Sequence, residues 1–123
     1  MRIQFASDLH LECLRGRPAG ETLVSPQPDA DLLVLAGDID NGVAGVRQFA
    51  TWPVPVLYVP GNHEAYEGVL DAVRAAIRQA ARGTSVAGPR RRRGGFEPLR
   101  RMVGPASGRV APPALAPRSR FAR

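Results

Sequence analysis

VLYVPGNHEAY, residues 56–66, decides how the chain reads. Four apolar residues, Val56-Leu57-Tyr58-Val59, run into Pro60-Gly61, and Asn62, His63 and Glu64 follow at once. An apolar run bounded by turn residues suits a buried strand, here spanning 54–59. Pro55 places its start at an edge or entry point. Two earlier stretches repeat the arrangement. Residues 2–7, RIQFAS, alternate and lead to Asp8-Leu9-His10; residues 32–36, LLVLA, are continuously apolar and lead to Gly37-Asp38. Continuous apolar runs are expected of strands covered on both faces.

Helical spacing fills the gaps. Val43, Val46, Phe49 and Ala50 share one face of a helix expected over 42–51, with Asp40 or Asn41 as its N-cap and Pro53 ending it. A second helix is expected over 66–82, with Val69, Leu70, Val73, Ala76, Ile77 and Ala80 in register and Gly83 as its stop. Residues 11–30 contain Pro18, Pro26 and Pro28 and read as an irregular loop. The order strand, loop, strand, helix, strand, helix gives an α/β fold with a mostly parallel sheet.

Parallel strands present their carboxyl ends on one edge, where open α/β sheets bind ligands. Asp8, His10, Asp38, Asn62 and His63 therefore converge. No Ser sits on a strand-to-helix elbow, and Cys13 has no spacing partner. No glycine-rich run with Lys follows a strand, and the chain has no Lys. Carboxylates, imidazole and an amide oxygen suit a divalent transition metal. Asp38 has two oxygens with which to bridge two ions, and a two-metal site clamps phosphoryl groups. Taken singly, each residue has a plainer use: Asp38 as a helix cap, Asn62 and His63 as turn residues. Glu64 is expected to be a helix N-terminal charge, and Glu12 and Asp40 to be solvated or capping. Cys13 reads as a small buried or half-buried residue. Trp52 and Tyr66 read as packing groups.

Asp8-Leu9-His10, Gly37-Asp38 and Gly61-Asn62-His63-Glu64, in that order at strand ends, resemble the first three motifs of the calcineurin-like metallophosphoesterases. The resemblance covers residues 2–86. It implies the N-terminal portion of an αββα sandwich and hydrolysis of a phosphomonoester or phosphodiester by hydroxide generated at the metal. It implies that Asp8 and His10 hold one metal, that Asp38 bridges two, and that Asn62 holds the second. His63 would contact the substrate phosphate or protonate the leaving group. The cofactors implied are divalent ions, Mn, Fe or Zn, two in the complete site. The family's later motifs, a lone His and a Gly-His-x-His pair, have no counterpart, because His10 and His63 are the only histidines. Weak or absent activity of this chain is the expectation.

Charge divides the chain. Residues 1–86 carry 7 Arg against 10 acids, and residues 87–123 carry 10 Arg against Glu97 alone. Pro and Gly make up 11 of those last 37 residues, a composition expected to stay disordered as a basic tail. Arg, Pro, Gly and Ala also rise together there, as a shifted frame in a GC-rich gene would give, and the change falls near Ser85–Gly88. A rival reading has Arg90 to Arg93 and Arg100-Arg101 bind nucleic-acid phosphates, as a non-catalytic module. One cysteine excludes an intrachain disulfide. No signal-peptide core or long apolar run is present, so a cytoplasmic protein without a membrane partner is expected. The sequence leaves the oligomeric state open.

Overall fold

The computed structural model describes residues 1–16, 23–66, 68–89, 91–92 and 95–96. Four strands form a parallel sheet in the order β1-β2-β3-β4: β1 Ile3–Ala6, β2 Leu32–Ala36, β3 Val56–Val59 and β4 Val86–Ala87. Register pairs Phe5 with Val34, Leu35 with Tyr58, and Val56 with Val86. Helices α1 (Ala44–Gln48) and α2 (Leu70–Ala80) follow β2 and β3. Short 3₁₀ turns occupy Leu11–Leu14 and His63–Ala65, the first lying in the span read as irregular loop.

Spatial order follows chain order, so right-handed crossovers carry both helices to the same face of the sheet. That face holds the core. Leu33 and Leu35 of β2, Val56 and Tyr58 of β3, and Val86 of β4 pack with Val46, Phe49 and Ile77 from the helix layer. The opposite face is unevenly covered among the described residues: Ile3, Phe5 and Val59 are exposed, while Leu32 is buried. β1 alternates as read, but its large residues point away from the helices, and Ala6 packs against the core instead.

Both helices are shorter than their periodicity suggests. α1 begins after Gly42, at φ 58°, and its N-cap is Val43 rather than Asp40 or Asn41. In α2 the covered stripe narrows to Val73, Ile77 and Ala80, while Val69, Leu70 and Ala76 remain exposed. The residues before it, His63–Ala65, wind as 3₁₀ instead of α, and Gly83 stops α2 in the left-handed region at φ 73°.

Val86–Ala87 completes the sheet at the point where the basic segment begins. Within that segment, β5 Arg91–Arg92 pairs antiparallel with β6 Gly95–Phe96. The disorder expected of residues 87–123, and the phosphate binding read for Arg90 to Arg93 and Arg100-Arg101, fall largely on residues 90, 93–94 and 97–123, which lie outside the described residues. Among the described residues, no helix is long and apolar enough to cross a membrane.

Candidate metal centre

The site is built where β1, β2 and β3 end. Past β1 and β2 the two chains stay zipped together: Asp8 N–H donates to Gly37 O at 3.0 Å, His10 N–H to Asp38 O at 3.1 Å, and Leu11 N–H to Ile39 O at 2.9 Å. This ladder is made with unusual backbone. Asp8, His10 and Asp38 all have left-handed φ, at 52°, 44° and 55°. They are the non-glycine residues so placed among those described. A left-handed residue with a Cβ is held there against a local preference of about 1–2 kcal/mol, and such positions gather at functional sites.

The third strand end is pressed against the second. A Cβ on Gly61 would lie 2.8 Å from the Asp38 backbone nitrogen and would overlap the Asp38 carboxylate, so only glycine fits. The same approach lets His63 N–H donate to Asp38 Oδ1 at 2.9 Å. Donor atoms of Asp8, His10 and Asp38 come within 4.8 Å of one another. The His10 and His63 rings meet edge to face, with centroids 4.4 Å apart. Asn62, one residue before His63, is exposed and caps the 3₁₀ turn through its backbone carbonyl, which accepts Ala65 N–H at 3.1 Å.

Three acidic residues lie elsewhere than expected. Glu64 is no helix-end charge: it is 2% exposed and lies beneath the site. Its Oε1 accepts Ile39 N–H at 3.0 Å and the Tyr58 hydroxyl at 2.9 Å; its Oε2 accepts Gly61 N–H at 2.7 Å and Asp38 N–H at 3.3 Å. A buried carboxylate is tolerated when its oxygens are filled in this way. Asp40 is also buried, paired with Arg15 and accepting Asn41 N–H at 2.7 Å. Glu12 turns inward from the first 3₁₀ turn, its Oε1 3.2 Å from Nδ1 of both His10 and His63. Burial would raise its pKa. Its own backbone N–H, the His10 hydrogen bond and the charge of the two imidazoles outweigh that and hold it below the ordinary carboxylate value. Glu64 stands in the Gly61-Asn62-His63-Glu64 motif, but neither its role nor that of Glu12 is legible there. Their distant partners, Asp38, Ile39 and Tyr58 for Glu64 and His63 for Glu12, are brought together only by the folded sheet.

Two other expectations shift. Cys13 is exposed, because the 3₁₀ turn buries Leu11 and turns Cys13 outward. Tyr66 is 75% exposed and stacks on His63, with ring centroids 4.9 Å apart and planes inclined by 22°. Trp52 does pack, tilted against Phe49. A cleft of about 280 Å³ opens at the other ends of the strands, lined by Leu32, Trp52, Val56 and Ser85, and includes none of the polar cluster.

A parallel sheet whose strand ends gather carboxylates and imidazoles defines an α/β protein with a candidate metal site. The chain belongs to the calcineurin-like phosphoesterase family, which matches it over residues 1–104. The match runs past Ser85–Gly88, where the resemblance was expected to end. No curated protein and no solved structure matches the chain. The family is one of metal-dependent phosphoesterases, with divalent metals as cofactors and phosphate esters as substrates.

Proposed function

We propose that the chain is a phosphoesterase domain in which Asp8, His10, Asp38 and Asn62 hold divalent metal, with His63 as the catalytic residue facing the substrate. The observation that carries this reading is the meeting of Asp8, His10 and Asp38 donor atoms within 4.8 Å, on backbone held in the left-handed region. The donor set fits Mn, Fe or Zn: hard oxygens and one imidazole, with a carboxylate able to bridge. When bound, such ions supply charge against phosphoryl oxygens and acidify a water.

The chain's own residues do the rest. Asp38 spends one oxygen on His63 N–H, which fixes the carboxylate and the imidazole-bearing turn relative to each other. Tyr66 stacks on the His63 ring and limits its rotation. From there His63 can donate a hydrogen bond to a phosphate ester and deliver a proton to the departing oxygen. Residues 1–123 contain only His10 and His63, so the imidazoles of the family's later motifs do not come from them. We take one ion to bind weakly, a second to bind poorly, and turnover to be low.

Calorimetry with Mn, and hydrolysis of a chromogenic phosphodiester in its presence, test this. One weak site, lost in Asp38→Ala, is expected. Two tight sites would refute the partial ligand set, and binding that survives Asp38→Ala would refute the assignment.

A further inference from the structure

Glu12 is set apart by its position. It belongs to the first 3₁₀ turn, yet its carboxylate lies between the two imidazoles of the chain. Oε1 takes a hydrogen-bond position on His10 Nδ1 at 3.2 Å. It lies equally far from His63 Nδ1, where the angles do not make a bond. That leaves two buried atoms side by side without partners, His63 Nδ1 and Glu12 Oε2. The carboxylate oxygen needs a donor, and His63 Nδ1 supplies one when it carries the ring proton. Buried polar atoms are nearly always paired, and the last torsion of a Glu side chain turns at little cost.

We propose that Glu12 is a positioning residue that holds both imidazoles at once, one carboxylate oxygen on each Nδ1–H. Its effect is on the opposite side of each ring. With Nδ1 carrying the proton, Nε2 of His10 is left bare, the form a metal ligand requires. Nε2 of His63 is likewise left bare on the side from which a substrate is approached, so this ring delivers a proton to a departing oxygen only once Nε2 has itself been protonated. A single carboxylate thereby sets the tautomer and the orientation of a ligand ring and of a substrate-facing ring together. The edge-to-face contact of the rings at 4.4 Å is the packing consequence. This rests on the metal reading of His10 and the substrate-facing reading of His63 given above, but the ring tautomers themselves do not depend on either.

With only two histidines, the four ring nitrogens are resolvable by long-range ¹H–¹⁵N correlation spectra of the metal-free chain. The spectra are taken at a pH high enough that the ¹⁵N shifts themselves report both rings as neutral. In the wild type both rings should be Nδ1–H. Glu12→Gln keeps the shape but offers a single acceptor oxygen, so at least one ring should revert to Nε2–H. Zinc alone should then shift Nε2 of His10, and the variant should bind zinc about 10–100-fold more weakly. An Nε2–H ring in the wild type, or two unchanged rings in Glu12→Gln, would overturn the proposal. Zinc shifting both Nδ1 nitrogens would also overturn it, making Glu12 and the two histidines themselves the metal site. Expected tautomers without zinc binding would sink the metal reading and leave the hold of Glu12 on the rings standing.

Discussion

The Tyr58 hydroxyl donates to Glu64 Oε1 at 2.9 Å, and through that bond the interior of β3 holds the turn that carries His63. Glu64 in turn gathers N–H groups from Asp38, Ile39 and Gly61, so one buried carboxylate fastens the ends of β2 and β3 to each other. Gly45 makes room for the phenol; a Cβ there would lie 2.5 Å from the hydroxyl. The site geometry therefore depends on a residue pair that contributes no donor to the metal cluster.

Replacing the two partners should have unequal costs. Tyr58→Phe removes one hydrogen bond to a charged group, about 1.5–3 kcal/mol. Glu64→Gln can set its amide N–H₂ against the Tyr58 hydroxyl, which turns to accept it. This still strands the Ile39 N–H, at about 1–3 kcal/mol, and leaves Gly61 and Asp38 N–H on a neutral acceptor, about 1 kcal/mol weaker each. A small domain has only about 5–15 kcal/mol in all, so Glu64→Gln should unfold at much lower urea or show no cooperative transition. Urea titration of both variants checks this, and Tyr58→Phe proving the costlier of the two would contradict it.

The same pair sets an alkaline limit. Burial first, then the Glu64 carboxylate, pushes the Tyr58 phenol far above its ordinary value of 10.0. A group whose folded pKa is raised contributes stability that is complete below the unfolded value and is lost as pH rises toward the folded one. Stability should thus be level up to about pH 10 and then fall by about 1.4 kcal/mol per pH unit. No Lys titrates across this range. Denaturation at pH 8 through 11.5 should show the slope in the wild type and its disappearance in Tyr58→Phe.

Legibility in the sequence followed the range of the interactions. β2 matches its expected span residue for residue, since Leu32–Ala36 is flanked by strands on both edges and its apolar run needs no further context. The gathering of Asp8, His10 and Asp38 was legible because parallel strands share an edge. Glu64 was not: a carboxylate after a turn looks like a helix-end charge until Tyr58, Gly61 and Asp38 are brought around it. Glu12 was missed for a similar reason, its two partners lying on different loops. The length of α1 was overread, because the apolar spacing extends to Val43 and Phe49, the capping residues just outside the helix at either end.

The exposed side of β1 should govern solubility. Ile3 and Phe5, 47% and 64% exposed, stand on β1, the edge strand of the sheet among the described residues. Apolar surface beside free strand groups invites association between chains. Ile3→Thr with Phe5→Thr keeps strand propensity and removes the greasy edge. Binding of an apolar fluorescent dye should fall and the monomer fraction in sedimentation should rise. Stability should change by less than about 0.5 kcal/mol per site, as for exposed positions. A large loss of stability would instead mean that these side chains are covered in solution.

Asp8 allows the cost of the site to be measured directly. Its side chain is exposed, while its backbone nitrogen is tied to Gly37 at φ 52°. Glycine in its place relieves a left-handed penalty of about 1–2 kcal/mol. It also adds about 0.4–1 kcal/mol of freedom to the unfolded chain. The balance favours the folded state by about 0–1.6 kcal/mol, so Asp8→Gly should be as stable as the wild type or slightly more so. Asp8→Ala keeps the Cβ and loses the short polar side chain that makes the left-handed region tolerable, so it should be the least stable of the three. Both variants should lose the Mn heat signal in calorimetry. Urea midpoints in the presence of chelator give the order Gly, then Asp, then Ala. An Asp8→Gly chain more than about 1 kcal/mol weaker than the wild type would show that the Asp8 carboxylate holds the apo fold together, and the strain at this strand end would then not be a cost accepted for metal binding.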